Sequence, residues 1–350
     1  MLAASPTSWI ASEIIATLPV NIPPTSSITE KERLRKNAIS MLFIDTSLTF
    51  SGLLFTIIIY CSGIVYHFSI LFTIYVFYFF EVIVLKFGFI GVGNMCSAIL
   101  DGIVKIGSPE PESIYLFDTD SAKCERFVKL GMILCGSATE VAKLSDTLFL
   151  CIKPQIMPKV LEELSTEVKE NAVIVSIAAG VSAEKICKAI KTTDRVIQVM
   201  PNTPLMLGEG AVALSATDSV SDAEYEAVEK IFSSCGICRK IPLDKMNEII
   251  AVNGSSPAFI YLLTKYVCNV AEENGIERET AKALFCQALV GSAKMMTDSG
   301  MEIDRLIEMV SSPGGTTIAG LSAMRERDTE GVVRAAFDAC TKRAYELGQA

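Results

Sequence analysis

The sequence predicts an α/β fold in which a parallel, doubly wound sheet is followed by an all-helical domain. From Lys86 to residue 243, short apolar runs alternate with helix-like runs, which is typical of a parallel sheet covered by helices. From residue 244 onward, apolar residues recur at spacings of three and four, which is typical of helices. The length of 350 residues suits two such domains, preceded by a front end of different composition.

The front end has two parts. Residues 1–40 are rich in Ser, Thr and Pro, and we expect a flexible leader there. Residues 41–85 are apolar, lack Asp, Glu, Lys and Arg from Thr46 to Phe80, and are long enough for a membrane span or a hairpin of two. The other interpretation is a gene-model extension outside the working protein. It is favoured because a strand begins at once at Lys86, where a span would press the sheet against the lipid.

Charge and cysteine use limit the classes of function. A net charge of −9 argues against nucleic acid as a partner. The 11 cysteines have no regular spacing and many lie in apolar runs, which indicates reduced thiols in a cytoplasmic protein. Cys235 and Cys238 form a lone CxxC, and the single histidine, His67, lies in the apolar front end, so no metal site is expected. Because His67 is the single histidine and lies in the front end, acid–base chemistry by histidine is also excluded.

A strand, a glycine turn and a helix start follow one another in "FGFIGVGNMCSAILDGI". Gly91 permits the tight turn, and Gly93 lets the backbone approach a pyrophosphate. Asn94 and Met95 open the helix whose N-terminus would hold that anion, and Cys96 replaces the third glycine of the dinucleotide fingerprint. The predicted strands that follow are "SIYLFD", "DTLFLCI", "AVIVSIAAG" and "RVIQVMPNTP", and the predicted helices are residues 121–130, 138–144, 155–169 and 182–191. Residues 86–243 are therefore predicted to form a Rossmann-like domain that binds NADH or NADPH.

Asp118 ends the second of these strands. A carboxylate at this place accepts hydrogen bonds from the adenosine ribose and repels a 2′-phosphate, which favours NADH over NADPH. Lys123 and Arg126 follow closely and could offset a phosphate charge. The alternative for Asp118 is a helix N-cap, since a helix-like run follows it.

Residues 244–350 are predicted to be helical. The predicted helices are residues 245–275, 278–299, 316–326 and 329–347. The stretch "AKALFCQALVGSAKMM" is apolar around most of its circumference and contains the small residues Gly291, Ser292 and Ala293, so a buried helix is expected. Burial against a second copy would make this a dimerisation domain, and the alternative is a core helix of a monomer.

Six motifs, in this order, resemble the pyrroline-5-carboxylate reductases. They are "FGFIGVGNM", "CIKPQ", "SIAAGV", "MPNTP", "NGSSPAF" and "VSSPGGTTIAGL", and the resemblance covers residues 86–350. It implies an oxidoreductase that reduces L-1-pyrroline-5-carboxylate to L-proline with NADH or NADPH, the last step of proline biosynthesis. It also implies a homodimer with interlocked C-terminal helices, often assembled further into a decamer.

The resemblance also implies where the substrate binds. The substrate-binding residues would be Ser312, Gly314, Gly315, Thr316 and Thr317, which form the Ser-Pro-Gly-Gly turn and the helix start after it. The N–H groups of a helix N-terminus suit the substrate carboxylate without an arginine. The Thr317 hydroxyl would be the catalytic group, hydrogen-bonded to the ring nitrogen. The alternative is that this segment is an elaborate helix cap.

The cofactor end of the site follows from the same resemblance. Lys153, Pro154, Ala178 and Ala179 would lie beside the nicotinamide, while Asn202 would brace the turn after its strand. The chain departs from the family pattern at Ala138, Asn253, Ser256 and Gly300. These departures leave substrate affinity and cofactor choice open.

Two other functions stay open on the residues alone. A β-hydroxyacid dehydrogenase would need a catalytic lysine in the helical domain, where Lys265 and Lys294 are candidates outside any recognisable motif. A membrane-anchored, nucleotide-sensing module without turnover is suggested only by residues 41–85.

Overall fold

The computed structural model describes residues 59–61, 64–66 and 85–349. The chain divides after Glu81 into two units. In the first unit, β1 (Ile59–Cys61) pairs antiparallel with β2 (Ile64–Tyr66). The expected leader and most of the apolar segment, with its possible membrane tether, lie outside the described residues. Among the residues that are described, no helix is both long and apolar enough to cross a membrane.

Eight strands of the second unit form one sheet. They are β3 (Phe87–Ile90), β4 (Ile114–Phe117), β5 (Ile133–Leu134), β6 (Thr147–Leu150), β7 (Val173–Ser176), β8 (Val196–Met200), β9 (Gly210–Ala216) and β10 (Gly236–Lys240). Their order across the sheet is β10-β9-β8-β7-β6-β3-β4-β5. The six strands β8-β7-β6-β3-β4-β5 are all parallel to their neighbours. Their order is that of a doubly wound dinucleotide-binding fold. The predicted fold class is confirmed.

One edge of the sheet differs from the prediction of parallel strands throughout. β9 pairs antiparallel with β8, with Met200 opposite Ala213, and β10 runs parallel to β9. The connection from β8 to β9, residues 201–209, contains only a short 3₁₀ helix, Thr203–Leu207. A parallel neighbour needs a longer crossover, so the chain turns back at this point.

Helices cover both faces of the sheet. They are α1 (Asn94–Ile106), α2 (Glu125–Val128), α3 (Ala138–Leu144), α4 (Met157–Leu164), α5 (Ala183–Ala189) and α6 (Asp222–Ser233). On one face, Phe232 of α6 packs near Phe89 and Phe149, whose stacked ring centroids lie 4.3 Å apart. On the other face, α3, α4 and α5 cover a second apolar cluster around Leu148. The helices pack on both faces of the sheet and leave the carboxyl ends of the parallel strands together at one edge. The candidate site lies at this edge.

The C-terminal region is helical, as predicted. A π-helical turn, Ile250–Gly254, precedes α7 (Ser256–Glu273), α8 (Arg278–Asp298), α9 (Ile303–Met309), α10 (Thr316–Glu326) and α11 (Thr329–Gln349). The helix expected to be buried, α8, has one buried residue in the single chain, Ala281, and its Leu284 is 69% exposed. This exposure contradicts the alternative of a core helix of a monomer.

Candidate active site

The glycine turn after β3 is tightly packed on one side and open on the other. Gly91 has a φ of 90°, and a Cβ there would lie 2.7 Å from the backbone oxygen of Cys151, at the end of neighbouring β6. A Cβ on Gly93 would meet no atom within 4 Å. Gly93 is the N-cap of α1, which has neither a capping side chain nor an acidic residue in its first turn. The first N–H groups of α1 therefore face an open space suited to an anion.

A cavity of about 470 Å³ lies where the strand order reverses between β3 and β6. Gly91, Gly93, Asp118 and Lys153 are among its lining residues. A second cavity of about 630 Å³ borders the N-terminal half of α1 and is lined by Gly93 and Asn94, among others. The structure therefore brings together five of the predicted cofactor residues at the switch point, where doubly wound folds bind dinucleotides.

Asp118 is held firmly beside the glycine turn. Its Oδ2 accepts a hydrogen bond from the Val92 N–H at 2.8 Å, and its Oδ1 accepts from the Asp120 N–H at 2.9 Å and from Lys123 Nζ at 3.1 Å. The side chain is only 9% exposed. Burial alone raises the pKa of this carboxyl, but these hydrogen bonds outweigh it and hold the pKa below its usual value. The alternative role of N-cap falls to Asp120, whose side chain accepts from the Ala122 N–H.

The remaining predicted cofactor residues lie apart from these cavities. Met95 packs against the apolar core, and Ala178 is buried. Ala179 packs against a small cluster that contains Ala344 of α11. Pro154 lines a separate cavity of about 210 Å³ together with Leu347. The loops after β6 and β7 thus adjoin the end of α11.

Gly180 fixes the contact between that loop and α11. Its φ is 76°, and a Cβ there would lie 2.7 Å from the Ala344 oxygen and 3.0 Å from the Leu347 Cβ. Reciprocally, a Cβ on Gly348 would lie 2.6 Å from the Gly180 oxygen. Residue-by-residue reading of the sequence missed this contact, for which the only signal was the glycine that ends "SIAAG".

Two buried asparagines brace the turn after β8. Asn202 Oδ1 accepts from the Ala211 N–H at 2.9 Å, which agrees with the bracing role expected for it. Asn253 Nδ2 donates to the Met200 oxygen at 2.6 Å and to the Ala211 oxygen at 3.0 Å. Asn253, noted in the sequence only as a departure from the family pattern, therefore ties the π-helical turn to the sheet. Its signal was a lone amide in an apolar run.

The Ser-Pro-Gly-Gly turn forms a second open helix N-terminus. Gly315 is the N-cap of α10, which has no capping side chain and no acidic residue in its first turn. The Gly315 N–H donates to the Ser312 oxygen at 2.9 Å, and Gly314 has a φ of 70°. Thr316 and Thr317 are exposed, and no hydrogen bond from a side chain supports the alternative of an elaborate cap.

Within one chain, the structure does not join the turn to the cofactor half. The residues that line the 470 and 630 Å³ cavities all lie between positions 90 and 206. The five predicted substrate residues line neither cavity. A complete site therefore needs a further element against the cofactor half.

Comparisons with known proteins cover both halves. A family model described as pyrroline-5-carboxylate reductase dimerisation matches residues 244–347, and one described as NADP oxidoreductase, coenzyme F420-dependent, matches residues 86–180. The pyrroline-5-carboxylate reductase of Escherichia coli K12 is 32% identical over 265 residues, which are 75% of this chain and 98% of that protein. The enzyme of the same name from Methanosarcina acetivorans gives the same identity and coverage. The chain belongs to the pyrroline-5-carboxylate reductase family.

Solved structures agree with this membership. The pyrroline carboxylate reductase of Plasmodium falciparum with NADP bound is 27% identical, with a TM-score of 0.67, and the match covers 75% of this chain and 98% of that one. The pyrroline-5-carboxylate reductase of Coxiella burnetii is 29% identical, with a TM-score of 0.70 and coverages of 76% and 100%. Membership in this family does not favour the two alternative functions, a β-hydroxyacid dehydrogenase and a nucleotide-sensing module without turnover. Lys265 and Lys294, the candidates for the former, lie exposed on α7 and α8.

The departures from the family pattern fall at different places. Ala138 is buried, opens α3 and lines the 470 Å³ cavity, so this departure touches the cofactor half. Ser256 opens α7, and its hydroxyl donates to the Asn253 oxygen at 3.4 Å. Gly300 follows α8 with a φ of 67°. Ser256 and Gly300 therefore lie at helix ends in the C-terminal helical region of this chain.

Proposed function

We propose that this chain reduces L-1-pyrroline-5-carboxylate to L-proline with a hydride from NADH or NADPH, the last step of proline biosynthesis. Membership in the pyrroline-5-carboxylate reductase family makes it an NAD(P)H-dependent oxidoreductase. The observation that carries the proposal is the presence of two open helix N-termini. One follows the glycine turn of a dinucleotide fold, and the other follows the Ser-Pro-Gly-Gly turn. Each suits one of the two anionic partners of the reaction.

The proposal assigns residues 86–243 to cofactor binding. The N–H groups of Gly93, Asn94 and Met95 would hold the pyrophosphate, and Gly93 leaves room for it by its lack of a side chain, while Gly91 permits the tight turn against Cys151. Asp118 would accept hydrogen bonds from the adenosine ribose, which supports NADH as the preferred cofactor. The loops with Lys153 and Pro154, and with Ala178 and Ala179, would flank the nicotinamide, which supplies the hydride when it is bound.

The proposal assigns residues 244–350 to substrate binding and dimerisation. The N–H groups of Thr316 and Thr317, with the Ser312 hydroxyl, would hold the substrate carboxylate, while the Gly315 N–H closes the turn by donating to the Ser312 oxygen. Gly314 gives the turn its left-handed corner. The Thr317 hydroxyl would form a hydrogen bond with the ring nitrogen and thereby orient the C=N bond. The ring carbon then accepts hydride and the nitrogen keeps or gains a proton, so these residues act mainly by positioning.

A second copy of the chain is part of this proposal. The substrate turn is exposed and lines neither cofactor cavity, and α8 leaves large apolar side chains exposed. Packing of α7–α11 against a second copy would cover these side chains and add elements to the site. We propose a homodimer through this region, assembled further into a decamer. A cytoplasmic location, expected from the irregularly spaced cysteines, belongs to the same proposal.

The experiment is a spectrophotometric assay of the purified chain. Pyrroline-5-carboxylate is supplied with NADH or NADPH, and loss of absorbance of the reduced nicotinamide is followed. We expect oxidation of both cofactors, with the higher kcat/KM for NADH. No oxidation of either cofactor in a folded protein would reject the proposed function.

A further inference from the structure

Lys123 forms an ion pair with Asp118, the carboxylate proposed to bind the adenosine ribose. Lys123 Nζ is 3.1 Å from Asp118 Oδ1, and its side chain is 47% exposed, while that of Asp118 is 9% exposed. Lys123 lines both the 470 and the 630 Å³ cavities. In this pair the Asp118 carboxylate is nearly buried and fixed, whereas the Lys123 side chain is half exposed and can adopt another conformation.

The hydrogen bonds of Asp118 leave few acceptor sites for a ribose. An ionised carboxylate offers about four lone-pair sites. Val92, Asp120 and Lys123 use one each, so three are taken. The two backbone donors are fixed by the fold, and Lys123 is the one donor that can leave. A ribose with two free hydroxyls needs two acceptors, and these are available only after Lys123 moves away.

A 2′-phosphate would make the opposite demand. It replaces one ribose hydroxyl by an anion, which the bare Asp118 carboxylate would repel and a cation beside it would attract. Lys123 is placed for this role because it already lies on Asp118 and reaches both cavities. Arg126 also lines the 630 Å³ cavity, but it does not line the 470 Å³ cavity, and its partners are Asp101, at 2.8 Å from its Nη2, and the Phe127 ring, whose centroid lies 4.2 Å away.

We propose that Lys123 determines cofactor specificity by leaving Asp118 for the 2′-phosphate of NADPH and by competing with the ribose hydroxyls of NADH. The inference rests on the proposed function, because it places the adenosine ribose against Asp118. It predicts that this lysine allows the chain to use NADPH as well as NADH, and that loss of the lysine would strengthen the preference for NADH.

The test measures cofactor binding without substrate. Fluorescence of the reduced nicotinamide gives dissociation constants for NADH and NADPH with the full-length chain. In Lys123→Met, NADPH should bind about tenfold more weakly, because a charged contact is lost and Asp118 is unmasked. NADH should bind about threefold more tightly, because one acceptor is freed. Lys123→Arg should stay close to wild type.

Two further variants separate this role from a general charge effect. Lys188→Met removes another ion-paired lysine, on α5, whose side chain is 75% exposed, and should leave both constants unchanged. In an Asp118→Asn background, Lys123→Met should still weaken NADPH but should no longer tighten NADH. Circular dichroism confirms that each variant is folded.

The outcomes distinguish the inference from the proposed function. If wild type binds neither cofactor, the proposed function fails and the inference fails with it. If wild type binds both and Lys123→Met leaves the ratio of the two constants within twofold of wild type, only the role of Lys123 fails. The same holds if the gain in NADH binding persists in the Asp118→Asn background.

Discussion

At the scale of single residues, Asp118 makes a contact that the sequence did not indicate. Its position after the second strand predicted contact with a ribose, and the structure adds a tie to the glycine turn through the Val92 N–H. Val92 is far from Asp118 in the sequence, so no local pattern indicates this hydrogen bond. What the residue types did predict is its chemistry, a carboxylate at the switch point.

Asp118→Ser should shift cofactor preference toward NADPH. The change removes a negative charge near the 2′-position and frees Lys123 to bind a phosphate. We expect the ratio of kcat/KM for NADPH to that for NADH to rise about tenfold or more. Steady-state kinetics with both cofactors measure this ratio. An unchanged ratio would refute the ribose role of Asp118.

Thr317→Ala should lower turnover and leave cofactor binding intact. The variant keeps the N–H group of residue 317 and removes only the hydroxyl proposed to orient the ring nitrogen. We expect kcat to fall about 100-fold or more, because one positioned catalytic group contributes roughly 10²- to 10⁴-fold. Thr317→Ser keeps a hydroxyl and is the matched control. A Thr317→Ala enzyme as fast as wild type would remove Thr317 from the mechanism.

At the scale of elements, periodicity predicted most of what was regular. The predicted helix 138–144 coincides with α3, and 316–326 coincides with α10. β9 was not among the predicted strands, and its reversed direction was missed with it, because strand direction depends on the length of a connection rather than on the strand itself. α6 and the seven-residue α9 were also missed. A helix as short as α9 contains too few turns for a clear repeat.

The contact between the loop after β7 and α11 gives a prediction at this scale. Gly180→Ala should destabilise the protein, because a side chain is strained at a φ of 76° and its Cβ would meet the Ala344 oxygen. Gly208→Ala is the matched control, since Gly208 has a φ of 78° and a Cβ there would meet no atom within 4 Å.

Thermal unfolding and cofactor titration measure the effect of this pair. The strain common to both variants costs about 1 kcal/mol, and the clash at Gly180 should add to it. We also expect weaker cofactor binding in Gly180→Ala alone, because its loop would flank the nicotinamide. Equal unfolding temperatures for the two variants would show that contact with α11 does not constrain the loop.

At the scale of the whole molecule, the sequence predicted two regions and a partner for the second. The apolar circumference of α8 pointed to burial, yet the single chain leaves it exposed. Amino-acid patterns show that a surface must be covered and do not show which chain covers it. The separation of the exposed Ser-Pro-Gly-Gly turn from the cofactor half is therefore visible only in three dimensions.

Leu284→Asp should break the proposed dimer. Leu284 is 69% exposed in the single chain, and a carboxylate there would be buried without a partner in an apolar interface. Light scattering should show a multimer for wild type and a monomer for the variant, with activity lost at the same time. Leu207→Asp is the control, because Leu207 is also exposed, at 84%, but lies outside the helical region. A multimeric Leu284→Asp protein would contradict an interface through α8.

The most direct measurement is a crystal structure with a reduced nicotinamide cofactor and a proline analogue bound together. The account predicts the pyrophosphate on the N–H groups that open α1 and the analogue's carboxylate on the N–H groups of residues 316 and 317. The analogue ring should face the nicotinamide. A carboxylate bound away from the Ser-Pro-Gly-Gly turn, with the cofactor in place, would contradict the account.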